Sequence, residues 1–405
     1  MIINYTLKDN QNTYIINPIY VRRFFLVEDI EQMYITAEME FEDKQGWVEK
    51  LPITGNEIFE VELIQETESA NIQKTISFEV YDIKMKTGTT GRVNIYTISL
   101  VEKGFFQLLD IHYSKSYSNK KISEIMTDVL KNQLKNSKYE VEETIDKINF
   151  IIPYWKPTTT IKYLSKIAKR SKTPQEAGFV FYSTLSDDKK KEPIKKFTSF
   201  GTLLEQKPKI EAKDKYYLRD GGKPVTFINN ILEIKNLSMC NRKALKNGIQ
   251  GKTFLGIDFH NDKNIINHSV KLSDYVKNAT FLGETINFAQ NIESTKADVQ
   301  FKGYPNSALI KNELEHDFRM NFEDINVREI LCKGVLTRYA GQMISIAEIS
   351  GDNADIINQV YSGTWLIKKI VHYWIANSYE HKMTIIKNAS GATTKSLMRT
   401  KKKNV

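Results

Sequence analysis

A chain of 405 residues, 41% hydrophobic and 26% charged, with 20 Tyr, 20 Phe and 4 Trp, holds enough apolar surface for a real core. That composition excludes a mainly disordered protein, and at roughly 150 residues per domain the length excludes a single small module. The 58 Lys+Arg against 49 Asp+Glu leave +9, a balance that fits nucleic acid, an acidic partner or plain solubility. Two cysteines, Cys240 and Cys332, exclude a disulfide scaffold or a four-cysteine zinc site and are read as reduced and buried. The apolar runs fall short of the roughly 18–20 residues of a spanning helix, and Met1–Asn10 has no signal-peptide pattern. The expectation is a chain kept in a cytosol-like space, with no membrane insertion of its own.

Residues 1–105 alternate apolar and polar with the period of a half-buried strand. Ile35, Ala37, Met39 and Phe41 alternate with Thr36, Glu38 and Glu40. After the turn Thr54-Gly55-Asn56 come Phe59, Val61 and Leu63, then Ile76, Phe78 and Val80. Gly88 and Gly91 mark a turn before Val93–Val101 resumes the pattern. An antiparallel sandwich or barrel is the simplest closure.

The period then becomes helical over Ile122, Ile125, Met126, Val129, Leu130 and Leu134, with Ser118 or Asn119 as the expected cap. Phe150–Ile152 reads as a strand ended by Pro153. Thr158, Thr159 and Thr160 offer caps for a second helix carrying Ile161, Leu164, Ile167 and Ala168. With the strand Gly178–Tyr182, residues 106–185 form an α+β domain with two helices. Lysine-rich 186–223, interrupted by Pro193 and Pro208, is read as a flexible, exposed insertion. Strand patterns return at Thr226–Leu237, Thr253–Phe259, Ile330–Tyr339, Met343–Ile349, Thr364–Trp374 and Tyr379–Lys387. They predict a second, discontinuous β domain at 224–258 and 319–390, with a small insert at 259–318 and a flexible basic tail at 391–405. The fold class is therefore α+β and β-rich, with two related β domains around inserted α+β material.

The motifs that carry chemistry are missing. Gly248-Ile249-Gln250-Gly251-Lys252-Thr253 ends like a phosphate-binding loop but has two residues between its glycines where four are needed, and an apolar strand follows. Gly88-Thr89-Thr90-Gly91 reads as a hairpin loop. Asp258, His260 and Asp262 alternate along a strand edge, Glu313, Glu315, His316 and Asp317 cluster, and Asp352, Asn353 and Asp355 have a calcium-loop flavour. None has the spacing of a metal site. No Gly-x-Ser-x-Gly elbow is present, the six histidines are scattered, and His372 reads as a hydrogen-bonded sheet residue. The pair Glu142-Glu143 lies in the mostly polar stretch Lys138–Lys147. Catalytic, cofactor-binding and metal residues are thus expected to be none, and a binding or structural role is favoured.

The order of short features across most of the chain resembles the central baseplate hub subunit of contractile-tailed, T-even-type phages and related contractile injection machines. These features are Gly55-Asn56-Glu57-Ile58, Val80-Tyr81-Asp82-Ile83, Asn94–Leu100, the helix Lys121–Leu130, Ile152-Pro153-Tyr154-Trp155, the helix Thr160–Ala168 and Gly178–Phe181. Trp365–His372 followed by Met383–Asn388 looks like that family's closing hairpin. The resemblance implies tube-like β domains in a homotrimer, giving a ring of six. That ring would match a sixfold tail tube on one side and a threefold central spike with its tail lysozyme on the other. It also implies other baseplate partners, DNA only in transit, no enzyme activity, and a place in the virion tail after assembly in the host cytoplasm. The interface residues stay unknown. The rival reading is a nucleic-acid-binding protein using Lys189–Lys191, Lys195, Lys196 and the tail lysines Lys395 and Lys401–Lys403 with Arg399.

Overall fold

The structure is a computed structural model that describes residues 2–8, 13–44, 46, 57–66, 71–87, 94–135, 138–185, 192–208, 216–218, 230–238, 251–257, 265–271, 279–280, 282, 298–303, 307–323, 326–347, 362–375 and 378–388. Alternation along the first hundred residues produces seven strands: β1 (Ile2–Lys8), β2 (Thr13–Ile16), β3 (Val21–Asp29), β4 (Thr36–Asp43), β5 (Ile58–Glu66), β6 (Asn71–Thr87) and β7 (Asn94–Glu102). Every pairing among them is antiparallel, in the order β3-β4-β7-β6-β5-β1-β2. Leu7, Phe59 and Phe78 stand opposite one another in register and point inward. With Phe24, Met39, Val61, Ile76 and Ile98 they make one core, each large side chain contributing roughly 1.5–3 kcal/mol by leaving water. A register shift between Val80 and Asp82 bends the seventeen-residue β6, so the sheet curls around that core.

The next elements are α1 (Phe105–Asp110), β8 (Tyr113–Lys121), α2 (Ile122–Asn132), β9 (Tyr139–Val141), β10 (Lys147–Trp155), α3 (Pro157–Ile167), β11 (Phe179–Thr184), β12 (Ile194–Ser199) and α4 (Phe200–Leu204). β8 and β10 make a two-stranded ribbon, and β11, β12 and β9 a three-stranded sheet. The apolar faces of α2 and α3 pack with Phe179, Phe181 and Phe197 in a separate core. Three sequence expectations change here. Ser118 and Asn119 belong to β8 and do not cap α2; the Glu124 carboxylate accepts from the Lys121 N–H at 3.0 Å, and Thr144 Oγ1 accepts from the Ser123 N–H at 2.9 Å. The threonines do not cap α3 either, because Pro157 already occupies its first turn. Finally, 186–223 is not a flexible insertion throughout: β12 and α4 are buried elements, formed because Ile194, Phe197, Phe200, Leu203 and Leu204 supply apolar faces that lysines had masked. Residues 186–191, 209–215 and 219–223 of that stretch lie outside the described residues.

The remaining elements are β13 (Tyr216–Leu218), β14 (Asn230–Ser238), β15 (Gly251–Ile257), β16 (Ile265–Lys271), β17 (Asp298–Gly303), α5 (Ser307–Glu323), β18 (Asn326–Lys333), β19 (Met343–Ala347), β20 (Gly363–Ile375) and β21 (Ser378–Lys387). Six of them follow the order β19-β13-β14-β18-β21-β20, and β19 also pairs with β20, closing the cycle around Ile330, Met343, Ile344, Ile367 and Ile385. Two boundaries move. β15 pairs with β16 and β17 in a sheet of its own, so 251–257 is not part of the second β region. α5 crosses the expected break at 318/319 and packs on α3. β20 pairs with β3, Leu26 opposite His372 and Phe24 opposite Trp374. Thus the two strand-rich regions form one thirteen-stranded sheet with two cores.

Cys332 is a buried free thiol, its pKa pushed up to about 12 by burial, and Cys240 lies outside the described residues. Among the described residues no helix is long and apolar enough to cross a membrane.

Candidate joining surfaces

The residues singled out in the sequence do not converge. Gly88–Gly91, Gly248–Gln250, Asp258, His260, Asp262, Asp352, Asn353 and Asp355 lie outside the described residues. Lys252 and Thr253 are in a strand, as β15 begins at Gly251. Glu313, Glu315, His316 and Asp317 fall within five consecutive residues of α5 and so fan around it. Glu315 is held by Lys169 at 3.2 Å. His316 is buried, and burial, with Lys166 nearby, lowers its pKa to about 4. Among the described residues no three His, Cys, Asp or Glu stand close enough to hold a metal. Glu142 and Glu143 part company: Glu142 accepts from Thr198 Oγ1 (2.8 Å), Ser199 N (2.7 Å) and Thr202 Oγ1 (2.7 Å), fastening β12 to α4, while Glu143 pairs with Lys121.

What the fold builds instead are buried polar joints between its parts. Glu28 is fully buried where β3 meets β20 and β11. It accepts from Thr184 Oγ1 at 2.6 Å, from the Leu185 N–H at 2.9 Å and faces His372 Nε2 at 3.0 Å. His372 Nδ1 lies 2.9 Å from the Tyr379 hydroxyl, which lies 2.9 Å from His381 Nε2. Burial, then His372 and Arg338, hold the His381 pKa well below its ordinary value. A second joint centres on Glu176, which pairs with Arg170 at 3.1 Å and Arg319 at 3.4 Å, all three buried. Arg170 reaches on to Glu205, Arg319 to Glu323, and Asn388 at the end of β21 donates to Glu323 at 3.2 Å. A third is Lys195, from the lysine run: its ammonium lies 2.9 Å from Glu102, donates to the Met33 carbonyl at 3.1 Å and sits 3.9 Å above the Tyr34 ring. Burial pulls its pKa down, against the raising effect of Glu102. These joints lock the 106–208 unit onto both sheet halves.

Alternation would have found one of these residues: Glu28 occupies the inward phase of Phe24 and Leu26, an unpaired-looking charge where a core side chain belongs. Only Arg319 carries a local signal, its i,i+4 spacing to Glu323; Arg170 and Glu176 do not, because Glu176 also meets Arg319 and Arg170 also meets Glu205 in distant segments.

The exposed surface offers two kinds of joining site. On the outer face where the sheet halves meet, Phe25, Val27, Val371 and Tyr373 floor a groove of about 960 Å³, walled by Phe105 and Lys162. Outward positions of a sheet are ordinarily polar, so this apolar floor stands out. Strand edges are the other kind: among the described residues β2 pairs with β1 alone, and β8 and β10 pair only with each other. Unpaired edge groups can bond to another chain.

In sequence, the chain matches no family model and no curated protein. In fold, it matches solved tail proteins over nearly its whole length. One is a tail protein from Neisseria meningitidis MC58, with TM-score 0.56 at 8% identity, covering 96% of this chain and 98% of that one. Another is the 43 kDa tail protein of prophage MuSo2 from Shewanella oneidensis, with TM-score 0.55 at 12% identity over 95% and 98%. A Francisella PdpA–VgrG complex aligns with TM-score 0.50 at 9% identity, over 96% of this chain and 59% of that one. The fold is therefore that of phage tail proteins, and the resemblance read from the order of short sequence features holds at the level of the fold.

Proposed function

We propose that this chain is a structural virion protein, the trimeric central hub of a contractile-tail baseplate. The observation that carries the reading is the double β unit: one chain presents two sheet halves, each curled on its own core and joined through the β3–β20 pairing. Three such chains present six similar β units. A ring of that kind meets a sixfold tail tube on one side and a threefold spike, with its tail lysozyme, on the other, and encloses a channel for the genome. The fold shared with solved tail proteins supports it. In this reading the first tube-like unit is residues 1–105 and the second is built from β13, β14 and β18–β21. The chain works by geometry, without catalysis or cofactor, in a tail assembled in the host cytoplasm.

The test is the mass of the purified chain by light scattering, alone and with a threefold spike protein. A species near three times 46.9 kDa in either condition is the expected result; a monomer in both removes the reading.

A further inference from the structure

One exposed strand edge, β2, belongs to the first sheet half, and the other, β10, to the ribbon of the 106–208 unit. β2 leads through the turn Pro18–Tyr20 directly into the start of β3. At the other end of β3, Met33 and Tyr34 hold the 106–208 unit through Lys195. The nine residues of β3 separate those ends by about 30 Å at roughly 3.3 Å per residue.

Both edges carry large apolar side chains in water. Ile15 in β2 is 72% exposed and Ile19 just after it 80%; Ile151 in β10 is 70% exposed and Tyr154 69%. On β10 the stretch from Ile148 to Ile152 retains its N–H groups before Pro153 ends the donor row. It alternates Ile152 inward with Ile151 outward, as β2 alternates Ile16 inward with Ile15 outward. The charges are complementary as well. Beside Ile15, on the same outer face, Thr6 and Glu60 stand in register, Glu60 already paired with Lys8 at 3.0 Å, with Glu62 two residues further along β5. Around Ile151 the ribbon carries Lys115, Lys120 and Lys147, and neither Lys120 nor Lys147 has an ion-pair partner among the described residues. The bias extends to the whole chain: residues 1–105 contain 10 Lys+Arg against 17 Asp+Glu, and the rest 48 against 32.

We propose that copies of this chain join head to tail, the β10 edge of one copy adding a strand beside β2 of the next, with Ile151 against Ile15 and the ribbon lysines facing Glu60 and Glu62. This rests on the hub reading and deepens it, because it names the surfaces that close the ring. Strand addition supplies backbone hydrogen bonds, and alternate side chains supply specificity. Two different patches in contact make a heterologous interface, which closes a ring when the rotation fits. Residues directly opposite across such a pair bring their Cβ atoms within about 4.5–5.5 Å.

The experiment uses the full chain carrying Cys240→Ser, with Ile15→Cys and Ile151→Cys introduced singly and together, treated with a short thiol-to-thiol reagent and run on denaturing gels. The double variant is expected to give a covalent trimer, an equal mixture of the two single variants a covalent dimer, and each single variant alone only monomer. A dimer from Ile15→Cys alone would reveal a same-patch contact and overturn the proposal. A trimer by light scattering whose double variant yields no covalent product also overturns it, with the hub reading intact. A chain that stays at 46.9 kDa with and without the spike overturns both. As an independent measurement, Lys120→Glu with Lys147→Glu weakens trimer formation about tenfold at low salt. Adding Glu60→Lys and Glu62→Lys restores it; a charge-reversed ribbon that assembles like the parent contradicts the proposal.

Discussion

Glu28 and His372 are separated by 344 positions in the chain and meet at 3.0 Å, both fully buried, at the β3–β20 pair that joins the two sheet halves. The same carboxyl group accepts from Thr184 and Leu185 at the end of β11, so three parts of the molecule share one acceptor.

Removing that carboxylate takes an acceptor from three buried donors, of which Thr184 Oγ1 alone keeps another, the Ala340 carbonyl at 3.3 Å. Glu28→Ala is expected to lower stability by about 3–5 kcal/mol, the range for breaking a buried charge network from one side. Glu28→Gln, which keeps an acceptor oxygen, loses less. Urea denaturation at neutral pH, followed by tryptophan fluorescence, measures both; a Glu28→Ala midpoint equal to the parent's would show that the joint contributes nothing.

Acid should loosen the fold through two histidines. His316 and His381 have pKa values depressed chiefly by burial, His316 to about 4 and His381 well below the ordinary value. A depressed folded-state value means that below about pH 6.5 the unfolded chain takes up protons that the folded chain refuses. The stability is complete above that pH and declines as pH falls toward 4, by at most about 1.4 kcal/mol per pH unit for each histidine. Thermal melts between pH 7.5 and 4.5 should show a falling midpoint, and His316→Gln should flatten part of the decline.

Gly201 is required by the second joint. A Cβ added there would overlap the Glu176 carboxylate and the Arg170 guanidinium, both buried. Gly201→Ala must therefore separate a buried ion pair or displace α4, and an expected loss of about 2–4 kcal/mol follows. Arg319→Ala, which takes from Glu176 one of its two buried cations and from Glu323 its guanidinium, should cost a similar amount. If the two losses simply add in the double variant, the residues are not one network; coupling of about 1 kcal/mol or more marks a shared joint.

Much of this architecture is legible in one dimension. The period-two runs of Ala37–Phe41 and Phe59–Leu63 are strands because one face of each meets a core, and the pattern records that face directly. Likewise Ile122–Leu130 announces α2. What the pattern does not encode is which surface a neighbour covers. Lys195 reads as solvated because four other lysines stand near it in sequence, yet Glu102 and Tyr34, more than ninety positions earlier, accept its charge inside the protein. The single sheet was hidden for the same reason: the β3–β20 pairing depends on contacts across nearly the whole chain.

The buried place of Lys195 changes how the nucleic-acid alternative has to be tested. Deleting Lys189–Lys196 would remove the start of β12 along with the charge, so loss of DNA binding in that variant would report unfolding. The informative pair separates the two halves of the run. Lys195→Ala leaves Glu102 buried without its cation and is expected to lose about 3 kcal/mol of stability. Lys189→Ala with Lys190→Ala and Lys191→Ala, combined with alanines at Lys401, Lys402 and Lys403, removes only charge from segments with no role in the joints described. Under the hub reading that second variant melts like the parent and assembles with the same mass, at low and at moderate salt. Under the nucleic-acid reading the parent binds duplex DNA with an affinity that falls steeply between 50 and 200 mM salt, by about a factor of ten or more, and the six-alanine variant loses that slope. A parent chain that shows no salt-dependent retention of DNA, with both variants behaving as above, leaves the hub as the reading that accounts for the charge.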